Sequence, residues 1–142
     1  MGAIEVGMKF ISAVDGTVSG IKFYKSSGNT GTHTVQLYNY YGAPLATVVC
    51  EAETDSGWQT VIFPTPVPIV AGQMYVAAYH SSLGNYSAQF YGLKKEITNG
   101  PLTALADSAR GLNGVFRYTE ILDFPIYGFE GSNYWVDVLF NY

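Results

Sequence analysis

The chain is poor in cysteine, in charge and in long apolar runs. With one cysteine, Cys50, it cannot form an intrachain disulfide, and we expect this residue to be a small buried hydrophobe in a strand. Charged residues make up only 13% of the sequence, and the seven basic ones are scattered, whereas nucleic-acid binding usually needs a basic cluster. No apolar run approaches the roughly 20 residues of a membrane-spanning helix. We therefore expect neither a nucleic-acid partner nor membrane insertion.

Recognisable catalytic and metal-binding motifs are also missing. His33 and His80 are the only histidines and lie far apart in sequence, whereas a zinc site needs clustered donors. A glycosidase would need two of the eleven acidic residues to face each other across a cleft, and most of them fall in predicted turns or on solvated strand faces. We predict no catalytic residue, no enzyme activity and no cofactor. One alternative stays open, because Glu51, Glu53 and Asp55 lie close enough in sequence to bind a structural calcium ion.

The sequence does have period-two alternation of apolar and polar residues, with turn signals about every ten residues. Residues 6–12 alternate, Asp15-Gly16 is a strong hairpin signal, and residues 18–25 run back. The proline-rich residues 64–68 lack the amides of a central strand, so we expect an edge strand or a linker there. Further strands are predicted over residues 35–40, 45–52, 58–63, 74–80 and 133–140.

In the second half of the chain the alternation weakens. Short strands are predicted near residues 86–91 and 114–118, and a short helix over residues 101–109, where Pro101 suits the first turn. Long loops in a compact domain are usually functional or disordered, and the aromatic content argues against disorder. The whole pattern predicts a single all-β domain over residues 1–142. Its expected fold is a two-sheet antiparallel β-sandwich, jelly-roll-like, with at most one short helix.

Seven phrases, spread in order over a region from about Val6 to Phe140, point to a protein family. They are GTVSGIKFYK from Gly16, NTGTH from Asn29, GWQTVIF from Gly57, MYVAAYH from Met74, NGPL from Asn99, NGVFRY from Asn113 and NYWVDVLF from Asn133. Together they resemble the domain-of-unknown-function family 4082. The resemblance implies a non-catalytic accessory module of a large secreted or cell-surface bacterial protein, beside immunoglobulin-like repeats and glycoside-processing domains. It implies a polysaccharide or glycan partner, with neighbouring domains as further partners, and it identifies no ligand-binding residue.

The aromatic-rich stretch from His80 to Trp135 supplies the candidate ligand-binding residues. A flat aromatic ring can stack on the apolar face of a sugar while neighbouring polar groups bind its hydroxyls. We assign stacking to four tyrosines and hydroxyl binding to three polar residues, namely Tyr86, Tyr91, Tyr118, Tyr127, His80, Asn99 and Asn113. The competing interpretations are that the rings pin the loops to the sandwich and that the two asparagines, each followed by glycine, form turns.

Two further arrangements stay open. Tyr24, Tyr38 and Tyr40 would form a flat binding platform if they point away from the core, and Trp135 would either cap a sheet face or line a ligand groove. The alternative function is a structural or adhesive spacer without a small-molecule ligand, in which the aromatic loops only stabilise the fold or contact a neighbouring domain. Exposed tyrosines that share a groove would favour binding over the spacer.

Overall fold

The computed structural model describes residues 2–106 and 113–142, and every regular element in these two ranges is a β-strand. The strands are β1 (Ile4–Ser12), β2 (Gly16–Lys25), β3 (His33–Asn39), β4 (Pro44–Val49), β5 (Gly57–Ile69), β6 (Met74–Ser81), β7 (Ile97–Asn99), β8 (Leu102–Ala104), β9 (Val115–Tyr118), β10 (Tyr127–Gly128) and β11 (Val136–Asn141).

These strands form two antiparallel sheets that pack face to face. The larger sheet has eight strands in the order β10-β9-β1-β6-β3-β4, with β8 also paired to β1 and β7 paired to β8. The smaller sheet has the order β11-β2-β5. One buried cluster takes residues from both sheets, and within it Phe23 of β2 stacks on Tyr79 of β6 with ring centroids 4.5 Å apart. The predicted two-sheet antiparallel sandwich is confirmed.

The turn at Asp15-Gly16 does not close a hairpin, contrary to the prediction. β1 pairs with β6 in the larger sheet, whereas β2 pairs with β5 and β11 in the smaller one. The carboxylate of Asp15 instead accepts a hydrogen bond from the amide of Ala71 at 2.8 Å, which ties this turn to the one between β5 and β6. The turn dipeptide therefore sends the chain from one sheet to the other.

The prediction of a helix over residues 101–109 is wrong where the structure can test it. Leu102–Ala104 is strand β8, which pairs with β1 on one side and with β7 on the other. Long-range pairing has overridden the helix propensity of this short leucine- and alanine-containing segment. The remainder of the predicted helix, from residue 107 onward, lies outside the described residues.

Two other predicted strands change their extent. Near residues 86–91 the structure has only an isolated antiparallel bridge between Gln89 and Asn133. The last strand starts at Val136, because Trp135 has a φ of 57°, which is incompatible with extended backbone. The proline-rich segment behaves as predicted, since it belongs to β5, at the edge of the smaller sheet.

The unequal widths of the sheets leave part of the larger one without a facing strand. β11 lies against β1 and β6, and β5 lies against β4. The strands beyond β1, namely β7 to β10, therefore extend past the smaller sheet as an overhang. Two paired segments, residues 89–93 and 129–135, run beside this overhang and are held together by backbone hydrogen bonds such as Leu93 N to Gly131 O at 2.7 Å. These segments, which we call the paired segments, divide the space under the overhang into two clefts.

Candidate ligand-binding clefts

The first cleft lies beside β9 and has a volume of about 230 Å³. We call it the tyrosine cleft. All of its lining residues are aromatic, namely Tyr86, Phe90, Phe116, Tyr118, Phe129 and Tyr134. The rings brace one another edge-on, with centroid distances of 5.6 Å for Tyr86–Tyr134, 5.8 Å for Phe90–Phe129 and 5.9 Å for Phe116–Tyr118. Edge-on packing of this kind holds rings rigidly without stacking their faces on one another.

Strand register explains why the rings meet. Phe116 is paired with Val6 and Tyr118 with Ile4, both of which point into the core, so both aromatic side chains emerge on the inner face of the overhang. Tyr127 of β10 is paired with Phe116 and lies on the same face, with ring centroids 5.9 Å apart. Without a facing strand, rings that would otherwise be core remain open to solvent.

Three of the four predicted stacking tyrosines therefore belong to one surface. Tyr86, Tyr118 and Tyr127 have exposed fractions of 36%, 57% and 54%. Burial raises the pKa of Tyr86, and its hydrogen bond with Tyr118 adds to the rise, while burial raises the pKa of Tyr134 to about 12. These two phenols remain protonated near neutral pH and can donate hydrogen bonds.

Tyr91, the fourth predicted stacking residue, points elsewhere. It does not line the tyrosine cleft, although its neighbour Phe90 does. Its hydroxyl is hydrogen-bonded to Glu130, which raises the pKa of the phenol, and the ammonium of Lys94 lies 5.8 Å from its ring centroid. Its ring is 57% exposed.

Two of the three predicted polar partners are buried and already hydrogen-bonded, so they are corrected to structural residues. Asn113 is completely buried: its Oδ1 accepts from the amide of Lys9 at 2.7 Å, and its Nδ2 donates to the carbonyls of Lys9 and Leu105. The Nε2 atom of His80 lies 2.8 Å from the carbonyl oxygen of Thr119, and the ring is 7% exposed. Both side chains fasten backbone segments to the larger sheet.

The second cleft has a volume of about 260 Å³ and lies between the β7–β8 hairpin and β11. We call it the tryptophan groove, since it contains both tryptophans of the chain, Trp58 and Trp135. The rest of its lining is Met8, Phe10, Leu93, Ile97, Asn99, Leu102, Ala104, Asn133, Val136, Asp137 and Val138. Asn99, the third predicted polar partner, is thus placed here and not beside the tyrosines.

Both tryptophan rings are partly open, with exposed fractions of 46% for Trp58 and 38% for Trp135. Lys22 lies beside the groove, with its ammonium 5.2 Å from the Trp58 ring centroid and 3.9 Å from Oδ2 of Asp137. Sequence reasoning left Trp135 undecided and did not select Trp58. The sequence did contain a signal for Trp58, because it is an aromatic residue at an outward position of an alternating strand. In the structure the outward residues Trp58, Thr60 and Ile62 are all exposed.

The paired segments between the two clefts contain unusual backbone. In the described part of the chain, three residues other than glycine have positive φ: Tyr91 at 63°, Glu130 at 53° and Trp135 at 57°. The left-handed conformation costs an L-residue about 1–2 kcal/mol, and such positions gather at ligand clamps and active sites. All three fall within the paired segments, so the strain is concentrated where the clefts are formed.

The alternative platform of Tyr24, Tyr38 and Tyr40 does not form. Tyr38 is buried beneath Phe124, with ring centroids 5.1 Å apart, and its hydroxyl lies 2.7 Å from Oε2 of Glu5. Tyr24 belongs to the smaller sheet, where its ring meets Trp58 edge-on at 5.7 Å. Strand alternation alone did not reveal that a loop covers the outer face of the larger sheet.

The acidic residues considered for calcium are not arranged as a ligand set. Oε1 of Glu53 lies 3.0 Å from Nζ of Lys25 and 2.7 Å from Nδ1 of His33, while Glu51 and Asp55 are exposed. Burial lowers the pKa of His33, against the raising effect of Glu53. Within residues 2–106 and 113–142, no group of three or more His, Cys, Asp or Glu side chains is placed to hold a metal ion.

Comparison with known families matches residues 1–136 to the family described as Domain of unknown function (DUF4082). The match covers most of the chain and confirms the resemblance carried by the seven phrases. No curated protein and no solved structure matches the chain. Among the residues with described coordinates, no helix is long and apolar enough to cross a membrane.

Proposed function

The chain belongs to the DUF4082 family, whose description names no function, and from this premise we propose that it is a non-catalytic carbohydrate-binding module. The observation that carries the proposal is the meeting of Tyr86 and Tyr118 in one open cleft, with Tyr127 on the adjoining surface. We further propose that the module belongs to a secreted or cell-surface bacterial protein and binds a polysaccharide or glycan of its surroundings.

The physical support is the match between the cleft and a sugar ring. A pyranose offers an apolar C–H face and a rim of hydroxyls, and the cleft offers aromatic rings with phenolic groups at their ends. The rings are already braced by their neighbours, so binding requires little ordering of side chains. Exposed rings in a shared cleft favour this function over a spacer, in which the same rings would be packed away.

The lining chemistry supports binding without a covalent step. All six lining residues of the tyrosine cleft are Tyr or Phe, so the cleft wall presents no carboxylate and no histidine. A glycosidase of the usual kind needs two carboxylates on opposite sides of the scissile bond. In the tryptophan groove, Asp137 is the one acidic lining residue among those described.

The test is to replace Tyr118 with alanine. Tyr118 is more than half exposed, so the variant should fold, and a glycan that the wild-type protein selects from an array or a polysaccharide pull-down should bind it more weakly by about 1–3 kcal/mol. The matched control is Tyr41→Ala, which removes an 89% exposed tyrosine from the β3–β4 turn. That turn lies at the opposite end of the larger sheet, since Asn39 pairs with Tyr75 and Tyr75 with Phe10.

Isothermal titration calorimetry gives the affinities, and thermal unfolding confirms that both variants are folded. Equal loss of binding in both variants would show that the cleft is not the site. A complete lack of binding by the wild-type protein across a broad glycan panel, with and without calcium, would favour the spacer function.

A further inference from the structure

We propose that the tryptophan groove and the tyrosine cleft are neighbouring subsites for one extended glycan chain, an inference that rests on the proposed function. The module then recognises an internal run of sugar units and not a single terminal sugar. The groove would hold one part of the chain against Trp58 and Trp135, while the cleft would hold the next part against its tyrosines.

The two sites are separated by a single wall, which consists of the paired segments. Asn133 lines the groove and the next residue, Tyr134, lines the cleft. In the other segment, Leu93 lines the groove and Phe90 lines the cleft. Consecutive Cα atoms are about 3.8 Å apart. The two cavities therefore lie on either side of the same backbone and are close to one another. A ligand longer than one cavity can therefore pass from one to the other across the wall.

The wall carries exposed polar side chains. Gln89, Tyr91 and Glu130 of the paired segments are all exposed, and the hydroxyl of Tyr91 is hydrogen-bonded to Glu130. A side-chain amide, a phenol and a carboxylate can exchange hydrogen bonds with the hydroxyls of a sugar that crosses the wall. The paired segments thus add polar groups to the wall that the two aromatic sites share.

The groove has the chemistry of a sugar site in its own right. Its two half-open indole rings offer apolar faces, and the amide of Asn99 and the carboxylate of Asp137 stand among the lining residues as donor and acceptor. Lys22, next to Asp137, adds a further donor at the rim. A few polar groups in a largely apolar concave surface are typical of small-molecule sites.

The backbone conformation of Trp135 also points to this use. Its φ of 57° is rare for a bulky residue, and its amide is held by Oδ1 of Asn133 at 2.8 Å while its carbonyl accepts from Tyr24 at 3.0 Å. These bonds fix the residue in a left-handed turn just before β11. The turn places the indole in the groove at a conformational cost that glycine would avoid.

The experiment uses tryptophan emission as a built-in probe. Because both tryptophans of the chain line the groove, a ligand that enters it changes the fluorescence, whereas a ligand confined to the tyrosine cleft does not. Cello-, xylo- and malto-oligosaccharides are titrated as disaccharide, tetrasaccharide and hexasaccharide, with calorimetry and emission recorded on the same samples. The variants are Trp58→Ala and Tyr118→Ala, and Ile62→Ala on the same exposed face of β5 is the matched control.

For the series that binds, we expect affinity to rise with length, because a second subsite engages at high effective concentration once the chain can span both. Emission should change with the hexasaccharide and not with the disaccharide. Trp58→Ala should weaken hexasaccharide binding about tenfold and leave disaccharide binding unchanged. Tyr118→Ala should weaken both, and Ile62→Ala should weaken neither.

The possible failures are distinct. Affinity that does not depend on length, with constant emission and continued sensitivity to Tyr118→Ala, would overturn the extended site and leave the proposed function standing. An emission change that is sensitive to Trp58→Ala, with Tyr118→Ala neutral, would show a groove acting alone and would overturn both the extended site and the role of the tyrosine cleft. No heat and no emission change with any of the three series would refute the extended site for these glycans.

Discussion

Replacement of Glu5 with glutamine should change how the stability of the sandwich responds to pH. Glu5 is fully buried on the outer face of β1, where the hydroxyl of Tyr38 lies 2.7 Å from its Oε2 and the amide of Asp123 donates to its Oε1 at 3.3 Å. The same hydroxyl contacts Oε1 of Gln36, whose Nε2 donates to Thr47. A phenol has one hydrogen, so in this arrangement both of its contacts are hydrogen bonds only when Glu5 is protonated.

The pKa of Glu5 agrees with that geometry. Burial raises it from 4.5 to about 7, against a smaller lowering by the hydrogen bond with Tyr38. Between these two values the folded protein holds a proton that the unfolded chain has released, so stability falls as the pH rises through this window. The stabilisation is complete below the lower value and is lost as the pH passes the upper one. A shift of this size corresponds to about 3 kcal/mol.

Urea unfolding of wild type and Glu5→Gln at about pH 5 and about pH 8 measures this effect. Glutamine stays neutral at both, so the free energy of unfolding of the variant, relative to wild type, should rise by about 2.5 kcal/mol from the lower to the higher pH. The control is Glu96→Gln, which alters an exposed carboxylate and should leave the pH response of wild type unchanged. A difference between Glu5→Gln and wild type that stays constant across the two pH values would refute the reasoning.

Two further substitutions test the paired segments and the buried asparagine. Asn113→Ala should lower the free energy of unfolding by about 2–4 kcal/mol in urea titration, because it removes the buried hydrogen bonds that the side chain makes with the amide of Lys9 and with the carbonyls of Lys9 and Leu105, whereas Asn99→Ala at the surface should change it little. Tyr91→Gly should be about 1 kcal/mol more stable than Tyr91→Ala, since both remove the ring and only glycine relieves the left-handed backbone. Equal stability of the two Tyr91 variants would show that this conformation stores no strain.

The central strands are predictable from sequence because side-chain alternation follows directly from strand geometry. β6 was expected over residues 74–80 and is found at Met74–Ser81, and β9 matches its expected position within one residue. The short strands under the overhang could not be predicted in the same way. β8 has three residues, too few to show a period, and it exists because β1, about ninety residues earlier in the chain, offers it an edge.

The aromatic character of the candidate site was predictable from the sequence, whereas the grouping of its residues was not. Aromatic density identified Tyr86, Tyr118 and Tyr127, and the register between β9, β10 and β1 then determined that they share a surface. The sequence pattern of asparagine followed by glycine does not distinguish an asparagine in an exposed turn from a buried asparagine. Asn99 and Asn113 both precede glycine, yet the first is exposed and the second is enclosed by the backbone of β1.

The edge of the smaller sheet bears on how such modules would behave side by side. Pro64, Pro66 and Pro68 are exposed on β5, the outermost strand of that sheet, and each lacks an amide hydrogen. Pro68 is paired with Thr17 of β2, and Pro64 and Pro66 fall in the irregular stretch between the pairs Val18–Val67 and Gly20–Ile62. Three of the five residues from 64 to 68 therefore have no amide hydrogen to donate to an incoming strand, so strand pairing between neighbouring copies is disfavoured along this edge.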